Sequence, residues 1–311
     1  MKNKVAIIVA YFGKLPNWFQ LWLNSCRFNR NFTWIIFTDD STKYEYPENV
    51  IRELISFESI RELISLNLDL DINIQDPYKI CDFKVAYGYI FRDYLKEYTH
   101  WGCCDIDMIF GDLSKFINDE ILDKNDRVLN KGHLMIFKNT EFVNKAYELP
   151  YSGENYKYIL KSKYHYGFDE SAGLDKIYNE NKLSQYIPKD TIIADIDFSK
   201  YRFTVRNVEN YDNQYLYWDN GKVYRKYIKD SKEYEDEFAY IHFQKRRLQI
   251  EIKDNSKYLF YPNAIRSISD DLNLYELNRS GFLSEFKTKI RYAKIIFNQK
   301  RYRLIHWKLK L

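Results

Sequence analysis

The stretch KVAIIVAYFG, residues 4–13, is an unbroken apolar run closed by a glycine. A strand covered on both faces reads this way, whereas a half-exposed strand alternates. Working outward, NWFQLWLNSCRFN (17–29) sets Trp18, Leu21, Trp22 and Ser25 at helical spacing behind Asn17, a candidate N-cap. FTWIIFTDD (32–40) is a second apolar run, ending in Asp39 and Asp40. Strand, helix, strand in this order predicts an α/β fold with a mostly parallel central sheet flanked by helices.

The rest of the chain continues the alternation. DPYKICDFKVAYGYIFRDYLKEY (76–98) predicts one long helix with Pro77 near its start, and VLNKGHLMIFKNTEFVNKAYEL (128–149) a strand and then a helix. YHYGFDESAGLDKIYNEN (164–181) predicts a turn into a helix, and DTIIADIDF (190–198) a strand. YWDNGKVYRKY (217–227) predicts a hairpin turning at Asn220–Gly221, and EFAYIHFQKRRLQIEI (237–252) another strand. RELIS occurs at 52–56 and again at 61–65, a short duplication within a loop and helix. No low-complexity linker interrupts the chain, so residues 1–255 are expected to form one unit and 256–311 a helical appendage.

The chain has 311 residues with 45% hydrophobic content, enough for a large core. Its 18% aromatic content includes 29 tyrosines, which suits amphipathic surfaces; an AT-rich coding sequence also enriches Tyr, Lys, Asn and Ile. A net charge of +4 is too mild to argue for nucleic acid. Cys26, Cys81, Cys103 and Cys104 form no CxxC pair, which fits a reducing cytoplasm. The N-terminal apolar run is too short to span a bilayer and reads as a strand instead of a signal peptide.

THWGCCDIDMIFGDL (99–113) carries the chemistry. Asp105 and Asp107 lie one residue apart in an apolar run, and buried carboxylates need a cation or donors. If both lie on a strand they point the same way, and at the C-terminal end of a parallel strand they open onto the ligand crevice. Oxygen donors of this kind suit Mg²⁺ or Mn²⁺ together with phosphate oxygens. The spacing is common: DLD at 69–71 and DID at 195–197 share it, and Asp195 and Asp197 lack the same flanking order.

The run PYKICDFKVAYGYIF…YTHWGCCDIDMIFGDL resembles bacterial GT-A glycosyltransferases of capsular-polysaccharide and lipopolysaccharide synthesis, and more distantly the glycogenin-like and galactosyltransferase families. Across residues 4–250 the order of elements is similar. The resemblance implies a GT-A-like, Rossmann-like catalytic domain that moves a hexose-type sugar from a nucleotide-sugar, a UDP-sugar above all, to a glycan or lipid-linked glycan. It implies Asp105 and Asp107 as metal ligands and His242 in YIHFQKRR (240–247) as the third, with Lys245 and Arg246 reaching the diphosphate. It places Tyr11, Phe12 and Gly13 over the nucleobase and ribose, with Asp39 accepting from either. Lys79, Asp82 and Lys84 would border the donor pocket; the same three also read as a salt-bridged helix face. Asp169 and Glu170 would bind sugar hydroxyls or deprotonate the acceptor; they also read as helix caps.

The tail SEFKTKIRYAKIIFNQKRYRLIHWKLKL sets nine Lys and Arg against Glu285 alone, with an apolar stripe through Phe286, Ile290 and Phe297. Basic amphipathic helices of this type suit an anionic membrane surface, here the inner face of the cell membrane, where lipid-linked acceptors are found. Two other functions fit a D-x-D: a haloacid-dehalogenase-type phosphatase, in which the pair sits near the N-terminus, and a non-catalytic carbohydrate-binding or membrane-surface protein.

Overall fold

The computed structural model describes residues 1–189, 191–244, 246–268 and 282–308, with 282 and 298–308 described by backbone alone. The chain divides into two compact units, Met1–Ile106 with Asp112–Asp190, and Asp107–Gly111 with Thr191–Leu311. This partition is drawn elsewhere than the expected break after residue 255.

The first unit is built on a seven-stranded sheet. Its strands are β1 (Val5–Ala10), β2 (Phe32–Thr38), β3 (Val50–Leu54), β4 (His100–Cys104), β6 (Arg127–Lys131), β7 (Leu134–Lys138) and β8 (Gln185–Tyr186); β5 (Met108–Phe110) belongs to the second unit. The order is β3-β2-β1-β4-β7-β6-β8. β1 runs parallel to β2 and β4, and β2 to β3, while β7 enters antiparallel between β4 and β6. This is the α/β arrangement with a mostly parallel sheet that the apolar runs predict. Val5 to Val9 are all buried, as are Phe32 and Trp34 to Phe37. Burying each such large side chain contributes on the order of 1.5–3 kcal/mol. Gly102 faces Ile7 across β1 and Ile136 across β7. A Cβ there would lie 2.5 Å from the Met135 carbonyl oxygen, so the central strand needs glycine.

Local expectations are corrected at several points. α1 spans Phe19–Arg27 with Trp18 at the N-cap position, so Asn17 is not the cap. The first RELIS lies across β3, and Ser56 at its end caps α2 (Phe57–Leu68) by accepting from the Ser59 N–H; the second RELIS lies inside α2. Residues 76–98 form no single α-helix: a 3₁₀ helix covers Pro77–Ala86 and one α-turn follows at Tyr87–Ile90. Seven of the ten 3₁₀ residues are buried, from Lys79 to Ala86, so the segment runs through the core and has no solvent face to favour a regular amphipathic helix. Residues 128–149 hold most of the β6–β7 hairpin and then only short helical turns, Glu141–Asn144 and Ala146–Glu148.

The second unit holds two sheets. The larger runs β12-β11-β10-β15-β16-β14, with β10 (Gln214–Asp219), β11 (Lys222–Lys229), β12 (Lys232–Phe238), β14 (Gln249–Glu251), β15 (Lys257–Tyr261) and β16 (Ala264–Ser267). β10 and β11 turn at Asn220 and Gly221, whose φ of 44° and 88° are the left-handed values a tight hairpin requires. The smaller sheet is β5-β13-β9, with β13 (Tyr240–His242) between β5 and β9 (Ile193–Asp195). Trp218 is fully buried, stacks on Tyr258 and donates its indole N–H to the Phe110 carbonyl. The tail is helical over Phe282–Lys308, as expected. Thr288 is buried and Tyr292 lies against Phe198, while Leu283, Phe286, Ile290 and Phe297 are exposed.

Candidate active site

Asp105 and Asp107 follow β4 in the turn Asp105–Asp107, before β5 begins. They are not strand residues, because β4 ends at Cys104. Asp105 belongs to the first unit and Asp107 to the second, and each has its own set of neighbours.

In the first unit, the Asp105 N–H donates to the His133 carbonyl at 3.0 Å, tying the turn to the β6–β7 loop. Its carboxylate meets Lys84, whose Nζ lies 2.6 Å from Asp105 Oδ1, 2.9 Å from the Gly132 carbonyl and 3.6 Å from Asp169 Oδ2. Burial opposes the Lys84 charge, but Asp105, Cys81 and Asp169 outweigh it and hold the ammonium well above its ordinary pKa. Asp169 is 3% exposed, and burial lifts its carboxyl to about 7 against the pull of Lys84. It therefore exchanges a proton near neutrality, the condition for acid–base work. The helix begins only at Leu174, so neither Asp169 nor Glu170 is a helix cap; Glu170 is exposed beside it.

A second ionic pair lies beneath. Lys79 and Asp82 are 1% and 0% exposed, with Nζ 2.8 Å from Oδ2. Lys79 also donates to the carbonyls of Ile159 and Tyr164, and Asp82 accepts from the N–H groups of Tyr166 and Phe168. The two side chains are thus spent on holding the segment that delivers Asp169. They do not line an open surface, in contrast to the sequence expectation.

The loop after β1 is stitched to the end of β2. Gly13, with φ of 96°, donates its N–H to Asp39 Oδ1 at 2.7 Å, and Leu15 donates to Asp40. A Cβ on Gly13 meets nothing within 4 Å, so this surface is open. Tyr11 is half-buried beside it. Phe12 turns inward against Phe57 and is 7% exposed, so it belongs to the core and does not face a base.

In the second unit, His242 Nε2 lies 3.3 Å from Asp107 Oδ1, and its Nδ1 lies 2.9 Å from Asp195 Oδ1. The Asp107 carbonyl accepts from the Phe243 N–H, and Gln244 donates to Asp195. A carboxylate oxygen and an imidazole nitrogen this close form a donor set that suits Mn²⁺ or Mg²⁺, so these residues fit the implied metal. Arg246 is 4% exposed and its guanidinium donates to the carbonyls of Lys200, Tyr201, Arg202, Asp197 and Pro262. Its two terminal nitrogens are occupied within the fold and its Nε is buried, so the side chain is turned inward and is not placed to meet a diphosphate. Lys245 lies outside the described residues. Sequence reasoning gave Asp195 little weight; its signal was the second D-x-D, and its value came from pairing with a histidine 47 residues away.

A family of unknown function, DUF6625, matches residues 7–269. No curated protein matches the chain. Among solved structures, mouse xyloside xylosyltransferase 1 in its apo form is similar at 8% identity and a TM-score of 0.40, over 63% of this chain and 88% of its own. The apo glycosyltransferase GlyE of Streptococcus pneumoniae TIGR4 is similar at 14% identity and a TM-score of 0.30, over 60% of this chain and 46% of its own, less than half its length. Likenesses of this size carry no argument, and the functional reading stands on the residues.

Proposed function

We propose that this chain, which belongs to that family of unknown function (DUF6625), is a metal-dependent glycosyltransferase. It moves a sugar from a nucleotide-sugar, a UDP-sugar first among the candidates, to a glycan or lipid-linked glycan hydroxyl in surface polysaccharide synthesis. The observation that carries the reading is His242 Nε2 turned to Asp107 at 3.3 Å, with Asp105 two residues earlier in the chain, directly after the central parallel strand β4. Ligands of open α/β sheets gather at such strand ends.

Asp107 and His242 would hold Mn²⁺ or Mg²⁺, and the bound metal would offset charge on the departing diphosphate. Lys84 fixes Asp105 and adds positive charge beside it. Tyr11, Gly13 and Asp39 form the open loop proposed for base and ribose. Asp169 is the proposed base toward the acceptor hydroxyl, and exposed Glu170 the proposed partner of a sugar hydroxyl. The exposed stripe of the tail helix, with Lys287 and Lys294 beside it, suits attachment to an anionic membrane at the cytoplasmic face. No helix of the described residues is long and apolar enough to cross a membrane.

The test is a thermal-shift panel of UDP-, GDP-, CMP- and dTDP-sugars with and without Mn²⁺. A shift that needs both one nucleotide and Mn²⁺ is expected. Indifference to both, or phosphate release from simple phosphomonoesters without sugar transfer, overturns the reading.

A further inference from the structure

The DID of residues 195–197 has a use that its sequence context hides. β13 lies between β5 and β9, in a register that sets His242 opposite Met108 on one side and Asp195 on the other. The imidazole therefore lies between two carboxylates, Asp195 at 2.9 Å from Nδ1 and Asp107 at 3.3 Å from Nε2. An ionised carboxylate only accepts, so without a metal each ring nitrogen turns a hydrogen to the carboxylate it faces; a cation beside Asp107 would replace the Nε2 hydrogen, while the shorter contact with Asp195 keeps the hydrogen on Nδ1.

Asp195 is itself held. Gln244 Nε2 donates to the same Oδ1 at 2.7 Å, and the Arg206 guanidinium lies 3.7 Å from Oδ2. The Arg206 N–H closes the arrangement by donating to the Asp195 carbonyl at 2.8 Å. The Asp195 side chain is 22% exposed, so its orientation is set by these partners.

We infer that Asp195 is a positioning residue for metal ligation: it fixes the His242 ring and its tautomer so that Nε2 meets a divalent cation held with Asp107. The inference rests on the metal reading above. Carboxylates behind ligating histidines set ring orientation and basicity, and losing one typically weakens metal affinity about 10- to 100-fold. Gln244 and Arg206 form the support behind the support.

The experiment compares the full chain with Asp195→Leu and Asp195→Asn. Mn²⁺ binding in the presence of UDP is measured by calorimetry. In metal-free protein, the ring nitrogens of His242 are read by long-range ¹H–¹⁵N NMR, assigned with His242→Gln. Expected are a proton on Nδ1 in the wild type, Mn²⁺ affinity reduced about 10- to 100-fold in Asp195→Leu, and a smaller loss in Asp195→Asn, whose amide oxygen still accepts. A merely structural Asp195 would lower the melting temperature and leave Mn²⁺ affinity alike in all three. Equal affinities, or a bare Nδ1 in the wild type, overturn the inference while wild-type Mn²⁺ binding upholds the metal reading. A wild type that takes up no Mn²⁺ overturns both. If Asp195→Leu does not fold, the Asn variant and the wild-type ring spectrum decide.

Discussion

Asp82→Ala should destabilise the first unit more than any surface change, for reasons that can be added up. It leaves Lys79 as a buried ammonium, 1% exposed, with two carbonyls and no counter-charge. Breaking a buried pair from one side costs about 3–5 kcal/mol. It also strips the acceptor from the N–H groups of Tyr166 and Phe168, at about 1–3 kcal/mol for each group left unsatisfied. Water entering the vacated space recovers part of this, so a total of about 4–6 kcal/mol is expected. For a chain of 311 residues that corresponds to a fall in melting temperature of about 6–9 °C, read by scanning calorimetry. Hydrogen exchange at Tyr166 and Phe168 should rise in step. Lys79→Met/Asp82→Asn removes both charges and keeps an oxygen for the two N–H groups, so it should lose clearly less than the sum of Lys79→Met and Asp82→Asn alone. A melting temperature within about 2 °C of wild type for Asp82→Ala, or an additive cycle, would refute the buried-clamp argument.

Further outcomes follow from the same structure. Asp107→Ala should abolish Mn²⁺-dependent UDP binding and transfer with little change in melting temperature, since its side chain is 28% exposed; calorimetry and a transfer assay check this. Turnover should rise with pH through a single ionisation near the Asp169 pKa of about 7, set by burial and then by Lys84, Glu170, Asp105 and Asp82, and Asp169→Asn should abolish turnover and that limb. Because the folded Asp169 keeps a proton that the unfolded chain releases, its share of stability should fall as pH rises from about 4 to about 7, a slope that Asp169→Asn removes in urea titrations. Gly102→Ala should cost about 1–3 kcal/mol in the same titrations, because its Cβ meets the Met135 carbonyl at 2.5 Å. Lys287→Glu/Lys294→Glu should reduce co-sedimentation with phosphatidylglycerol vesicles tenfold or more, on the order of 1 kcal/mol for each lysine near the surface.

The parallel half of the first sheet was legible because β1 is apolar throughout and β2 is apolar from Trp34 to Phe37, a pattern that few other contexts produce. The Asp105–Asp107 pair stood out in the sequence as a candidate site, but its lying in a turn did not, since Cys104 and Met108 continue the apolar run on both sides. RELIS shows where local reading ends. In the first copy Arg52–Leu54 lie in an edge strand with Leu54 exposed, and in the second all five residues lie in a helix with Ile64 fully buried, so tertiary contacts outweigh propensity. Lys79, Asp82 and Arg246 looked like ligand-binding charges, and only three-dimensional partners reveal that they are consumed internally. The role of Asp195 depends on the β9–β13 register, which no local window contains.

The excursion of Asp107–Gly111 into the second unit carries a consequence for biosynthesis. β5 pairs with β13, so during translation Met108–Phe110 emerges as an apolar, unpartnered edge and waits until Tyr240–His242 leaves the ribosome. A polypeptide begun at Thr191 would lack that strand and the carbonyl that receives the Trp218 indole. A message truncated before residue 240 would leave it bare, a sticky end for chaperones or for aggregation.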